Sequence, residues 1–134
     1  MEKSLEILLV EDSPADVRLT QEALKDINIQ YNLTVVNDGE DAMTYLNKQK
    51  KIKLPDVILL DLNLPRKNGH EVMEEIKNDE IFEQIPVVVL TVSQDEEDVL
   101  KALDLKMNYY INKPVNSNRL GAVLQMINEF WVQV

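Results

Sequence analysis

Cysteine is missing from all 134 residues, which excludes disulfides and thiolate-bound metal and fits an ordinary reducing interior. Glycine is scarce: only Gly39, Gly69 and Gly121 occur, and neither G-x-x-x-x-G-K-[ST] nor G-x-G-x-x-G can be built from them. Nucleotide cradles of those two kinds are thereby ruled out. His70 is the sole histidine, so a hard divalent ion held by oxygens is the metal expected here. No apolar run reaches membrane-spanning length, and Glu2, Lys3 and Glu6 flank too short an apolar stretch for a secretory signal. Positive charge is short as well. Fourteen Lys/Arg stand against 24 Asp/Glu, a net charge of −10, with no basic patch to meet a phosphate backbone. A cytoplasmic protein that binds neither nucleic acid nor membrane is expected.

What is present describes a globular chain. Hydrophobic residues make up 45% and charged residues 28%, and residues 1–134 read as one domain without linker or low-complexity stretch. Leu5–Val10, Leu33–Asn37, Val57–Asp61, Val87–Thr91 and Tyr109–Asn112 are short, apolar and rich in β-branched residues, as strands are. Helix-period segments separate them. Val17, Thr20, Leu24 and Ile27 line one face of the first, while Arg18, Gln21, Glu22 and Lys25 point away. The last repeats the scheme with Leu120, Val123, Leu124, Ile127 and Trp131. Helix starts are marked by Ser13-Pro14 with Asp16, Asn37 with Glu40, Asn68 with Glu71 and Ser93 with Glu96. Near-continuous apolar strands imply burial on both faces. The expected fold is α/β, a (βα)5 doubly wound domain around a parallel sheet.

Such sheets bind ligands beyond the carboxyl ends of their strands. Those ends carry Glu11 and Asp12, Asp61, Thr91 and Lys113, with Asn37 and Asp38 on the second strand. Carboxylates held together repel unless a cation shares the site, and a hard ion such as Mg2+ takes carboxylates, waters and phosphate oxygens. Lys113 adds a positive charge and Thr91 a hydroxyl donor, both suited to phosphoryl oxygens. A carboxylate free to attack phosphorus forms an acyl phosphate. Asp61, alone at its strand end before Leu62-Asn63-Leu64-Pro65, is the candidate. Taken singly, each residue has a plainer explanation: a helix cap, a turn acid, a strand-closing threonine, a solvent-facing lysine. Their convergence at neighbouring strand ends is what carries the argument.

The stretches "ILLVEDSPADVRLTQEAL", "PDVILLDLNLPRKNGHEV", "IPVVVLTVSQDEED" and "YYINKPV" resemble the receiver domain of two-component response regulators over nearly the whole chain. The wording "LPRKNGHEV" and "INEFWVQV" resembles the single-domain regulators that partner bacterial phytochrome histidine kinases. The resemblance implies a flavodoxin-like sheet in the order 2-1-3-4-5. It implies that Asp61 accepts a phosphoryl group from a kinase phosphohistidine. Mg2+ would be held by Glu11, Asp12, Asp61 and the backbone carbonyl of Asn63. Lys113 would contact the phosphoryl group, ahead of a cis peptide to Pro114. Thr91 would move toward the phosphoryl oxygen and Tyr110 would turn inward, altering the surface of the helix after strand four, strand five and the final helix. Val92 departs from the small residue usual after the switch threonine; it is expected to slow small phosphodonors or water, and unchanged rates in Val92→Ala would remove that idea.

The remaining residues have lesser expectations. His70 is expected as a solvent-exposed helix residue. Leu19 falls off the apolar face of the first helix, where the family's kinases dock. Phe130 and Val132 offer a self-association surface at the C-terminal end, and Asp95–Asp98 a solvated helix start. A haloacid-dehalogenase-type phosphatase is the enzymatic rival. It needs a second Asp two residues after its nucleophile, where this chain has Asn63. A receiver-like scaffold that binds without phosphorylation is the other. The favoured expectation is a stand-alone receiver with no output domain, no enzyme beyond its own phosphorylation and dephosphorylation. Its output would be a protein contact or onward phosphotransfer.

Overall fold

The computed structural model describes residues 4–91 and 109–130. In these, β1 (Leu5–Val10), β2 (Tyr31–Val36), β3 (Val57–Asp61), β4 (Val87–Thr91) and β5 (Tyr109–Asn112) form one sheet in the order β2-β1-β3-β4-β5, all neighbours parallel. The helices are α1 (Pro14–Lys25), α2 (Gly39–Gln49), α3 (Gly69–Lys77) and α4 (Ser117–Phe130), with a 3-10 turn at Phe82–Gln84.

Alternation along the strands divides the core into two layers. Leu8, Val10, Ile58, Leu60, Val87 and Val89 face α2 and α3, where Leu46, Val72, Met73 and Ile76 meet them. Leu5, Ile7, Leu9, Val57, Leu59, Val88, Leu90 and Ile111 face α1 and α4, packing on Leu24, Leu120, Leu124 and Ile127. The expected faces of α1 and α4 are therefore the buried ones; Trp131 lies outside the described residues. Ile27 packs on the same layer just after α1 has ended at Lys25.

Two boundaries differ from expectation. β2 begins at Tyr31 and ends at Val36, whereas the sequence pattern suggests Leu33–Asn37. It is an edge strand, so exposed Asn32 sits in register opposite Glu6 without harming the core. Asn37 leaves the strand, and its Nδ2 donates to the Glu11 carbonyl at 3.2 Å. The cap of α2 consequently moves one residue on: Asp38, not Asn37, accepts from a backbone N–H, that of Asp41, at 2.8 Å. Ser13 caps α1 with Pro14 opening it, and Asn68 with Glu71 completes a reciprocal capping box on α3, both as expected. Ser93 and Glu96 lie outside the described residues.

Candidate functional site

The chain passes from β1 to β2 on one side and from β1's other neighbour β3 outward to β5, so strand order reverses between β1 and β3. A crevice at their carboxyl ends follows from that reversal. Val10 is in register with Leu60, which sets Glu11 beside Asp61 on the next rung. Both continue the alternation that faces α1 and α4, as does Lys113 two residues after Ile111. Parity thus brings these side chains to one side of the rim.

The distances bear this out. Carboxylate oxygens of Glu11, Asp12 and Asp61 lie within 4.8 Å of one another. The Lys113 ammonium stands 2.8 Å from Glu11 Oε1, 3.3 Å from Asp61 Oδ2 and 3.0 Å from Asp16 Oδ2. Glu11 and Asp61 are buried and Asp12 is exposed. The lysine is enclosed, its side chain only 10% exposed, so a solvent-facing lysine does not describe it. The Lys113-Pro114 peptide is cis. Backbone groups complete the cradle: Ser13 N–H donates to Glu11 Oε2 at 3.3 Å, and Asn63 N–H to Asp61 Oδ1 at 3.2 Å.

Gly69 holds α3 against this end of β3. Its N–H donates to the Leu62 carbonyl at 3.0 Å, and a Cβ there would come 2.4 Å from both the Asp61 carbonyl oxygen and Leu62 Cα. Only glycine permits that approach.

Burial is the main cause that pushes the Glu11 carboxyl from an ordinary 4.5 up to about 7; the Lys113 hydrogen bond opposes it and neighbouring Asp61 adds to it. Burial alone would lower Lys113, but hydrogen bonds to Glu11 and Asp16 and the charges of Asp61 and Glu11 outweigh it, raising its pKa. The ammonium stays charged. A donor set of clustered carboxylate oxygens, one of them pushed up by burial and by its acidic neighbour, suits a hard divalent cation.

Several expected residues fare differently. Thr91 closes β4 in register with Asn112, but its side chain, like Val92, lies outside the described residues. Tyr110 is half-buried against the α2/α3 layer, with the Arg119 guanidinium 5.9 Å from its ring centre. Leu19 is exposed, as expected. His70 is not: it is half-buried, and its Nδ1 is enclosed without a hydrogen-bond partner among the described residues. The second helical position of α3, packed close to the sheet by Gly69, explains the difference. Asp16 was legible only as a helix-start signal; its contact with Lys113, 97 residues away, could not be read from local spacing.

Comparison with known proteins agrees with the fold. Residues 7–125 match the response regulator receiver domain family. Response regulator Rcp1 of Synechocystis sp. is 46% identical over 130 residues, covering 95% of this chain and 88% of its own. The crystal structure of the phosphorylated cyanobacterial phytochrome response regulator RcpA superposes with a TM-score of 0.78 at 44% identity, covering 98% of this chain and 96% of that one. The Mn2+-bound form of Rcp1 gives a TM-score of 0.74 at 44% identity, with 97% and 96% covered.

Proposed function

This chain belongs to the response regulator receiver domain family, and from that premise we propose that it accepts a phosphoryl group onto Asp61 from the phosphohistidine of a sensor histidine kinase. The observation that carries the reading is the placement of Asp61 Oδ2, 3.3 Å from the Lys113 ammonium and clustered with Glu11 and Asp12. An Asp61 oxygen attacks phosphorus, the P–N bond of the phosphohistidine breaks, and the departing imidazole recovers a proton from solvent. Lys113 remains charged and takes up part of the charge on the phosphoryl oxygens. Glu11, Asp12, Asp61 and the carbonyl of Asn63 are the groups that would hold Mg2+, which supplies charge neutralisation for the transferring phosphoryl group. A phosphorylated RcpA and a Mn2+-bound Rcp1 support both parts of the proposal.

The same reading makes Thr91 and Tyr110 the switch, with β5 and α4 forming part of the surface that reports phosphorylation. The description of RcpA as a phytochrome response regulator favours a phytochrome as the kinase. A stand-alone cytoplasmic regulator acting through a protein contact or onward phosphotransfer, and pairing with a second copy through the C-terminal end, completes the proposal. Incubation with acetyl phosphate and Mg2+ tests its core. Intact mass should rise by one phosphoryl group in the wild type and not in Asp61→Asn. Equal labelling of both proteins, or of neither, refutes the assignment.

A further inference from the structure

Three carboxylates from separate elements surround the Lys113 ammonium: Glu11, just past β1, and Asp16, in the first turn of α1, accept its hydrogen bonds, and Asp61 at the end of β3 pairs with it at 3.3 Å. Asp16 differs from the other two. It stands apart from the Glu11–Asp12–Asp61 cluster whose oxygens converge within 4.8 Å. Nor does its carboxylate cap α1. That role belongs to Ser13 Oγ, which accepts the Asp16 N–H at 3.3 Å, while Asp16 Oδ2 accepts from Lys113 at 3.0 Å. A cation or phosphoryl group at the rim must draw Glu11 and Asp61 into new partnerships, because both belong to the reacting cluster. The Asp16 contact can persist through that exchange. Lysine is a flexible four-carbon stem with substantial rotamer entropy, so an ammonium that loses two of three anchors at once is free to leave. We propose that Asp16 is a positioning residue that tethers the Lys113 ammonium at the rim while Glu11 and Asp61 change partners.

The tether rests on the receiver reading above, and a mutant cycle separates the two. Initial rates of acetyl-phosphate labelling with Mg2+ are compared for wild type, Asp16→Ala, Asp16→Asn, Lys113→Ala and the Asp16→Ala/Lys113→Ala double variant. Asp16→Ala should slow labelling by roughly 10-fold or more, the scale at which a misplaced catalytic group is felt. Asp16→Asn should recover much of the rate, since its amide oxygen still accepts an N–H. The double variant should be no slower than Lys113→Ala alone, because a residue acting through Lys113 has nothing to act on once the lysine is gone. Labelling of Asp16→Ala at the wild-type rate overturns the tether. So does a double variant slower than Lys113→Ala by the full Asp16→Ala factor, which would assign the effect to α1 itself. Urea unfolding checks that each variant is folded, and Asp16→Leu, which likewise offers no acceptor to Lys113, carries the comparison if Asp16→Ala is not. Labelling of wild type alongside such an additive cycle removes the tether alone; a folded wild type that takes no label removes the receiver reading and the tether together.

Discussion

At the scale of single residues, Glu11 links the site to folding. Its carboxyl is pushed up to about 7 in the folded protein from an ordinary 4.5, chiefly by burial. Between those values the folded chain binds the proton that the unfolded chain has released, so this group's contribution to stability is intact below 4.5 and is lost as pH rises through 7. Urea unfolding of the metal-free protein should show wild type losing roughly 2–3 kcal/mol relative to Glu11→Gln between pH 5 and pH 8. A difference that stays flat with pH contradicts this. Mg2+ should oppose the loss, since it takes the ionised form, and its affinity should climb over the same window. The residues that make up this electrostatic balance were legible unequally. Glu11, Asp61 and Lys113 stand at or just beyond recognisable strand ends, and strand alternation predicts their shared side. Asp16 and His70 lie in helices, where sequence reports a face and a cap but not which distant side chain that face meets.

Elements join at the N-terminus of α2, where Arg66 is the clamp. Its Nε lies 3.2 Å from Asp38 Oδ2, and its Nη2 lies 3.1 Å from Glu40 and 3.5 Å from Asp41. The loop between β3 and α3 is thereby bound to α2, and Gly39 lets the two approach so closely that a Cβ there would overlap the Lys67 carbonyl oxygen. Arg66 itself holds φ of 63°, the left-handed region that costs a non-glycine residue about 1 kcal/mol. Two substitutions separate these effects. Arg66→Ala loses the half-exposed ion pairs and keeps the strain, whereas Arg66→Gly loses the pairs and relieves it. Thermal or urea unfolding should therefore find Arg66→Gly more stable than Arg66→Ala by about 1 kcal/mol. High salt should narrow the gap between wild type and Arg66→Ala without moving that between Ala and Gly. Element boundaries were read well where apolar runs end abruptly, as in β1, β3, β4 and β5. They were misread at β2, because an edge strand admits Asn32 and because adjacent Asn37 and Asp38 are both good caps. The tertiary bond from Asn37 to Glu11 decides between them.

For the whole molecule, the burial of each strand follows from its place in the sheet. β3 is buried throughout and β1 nearly so, whereas β2 is half-exposed, as its outer position requires. Sequence conveyed the parallel doubly wound class through continuous apolar strands, but strand order came only with resemblance, since no local pattern says which strands adjoin. The net charge of −10 adds general self-repulsion that the site shares. Asp61 ends β3 and Glu11 directly follows β1, two of the three inner strands, each flanked by paired neighbours and covered above and below by helices. Backbone amides along Leu8–Val10 and Ile58–Leu60 should be among the slowest in the chain to exchange with deuterium, opening only when the entire domain unfolds. Amides of Asn32–Val35 on the rim strand should trade hydrogen sooner, through small local excursions. If Asp61 is phosphorylated as proposed, so unyielding a base would not relay the change by loosening the strand beneath it; the response would have to emerge through side chains and loops around the seat.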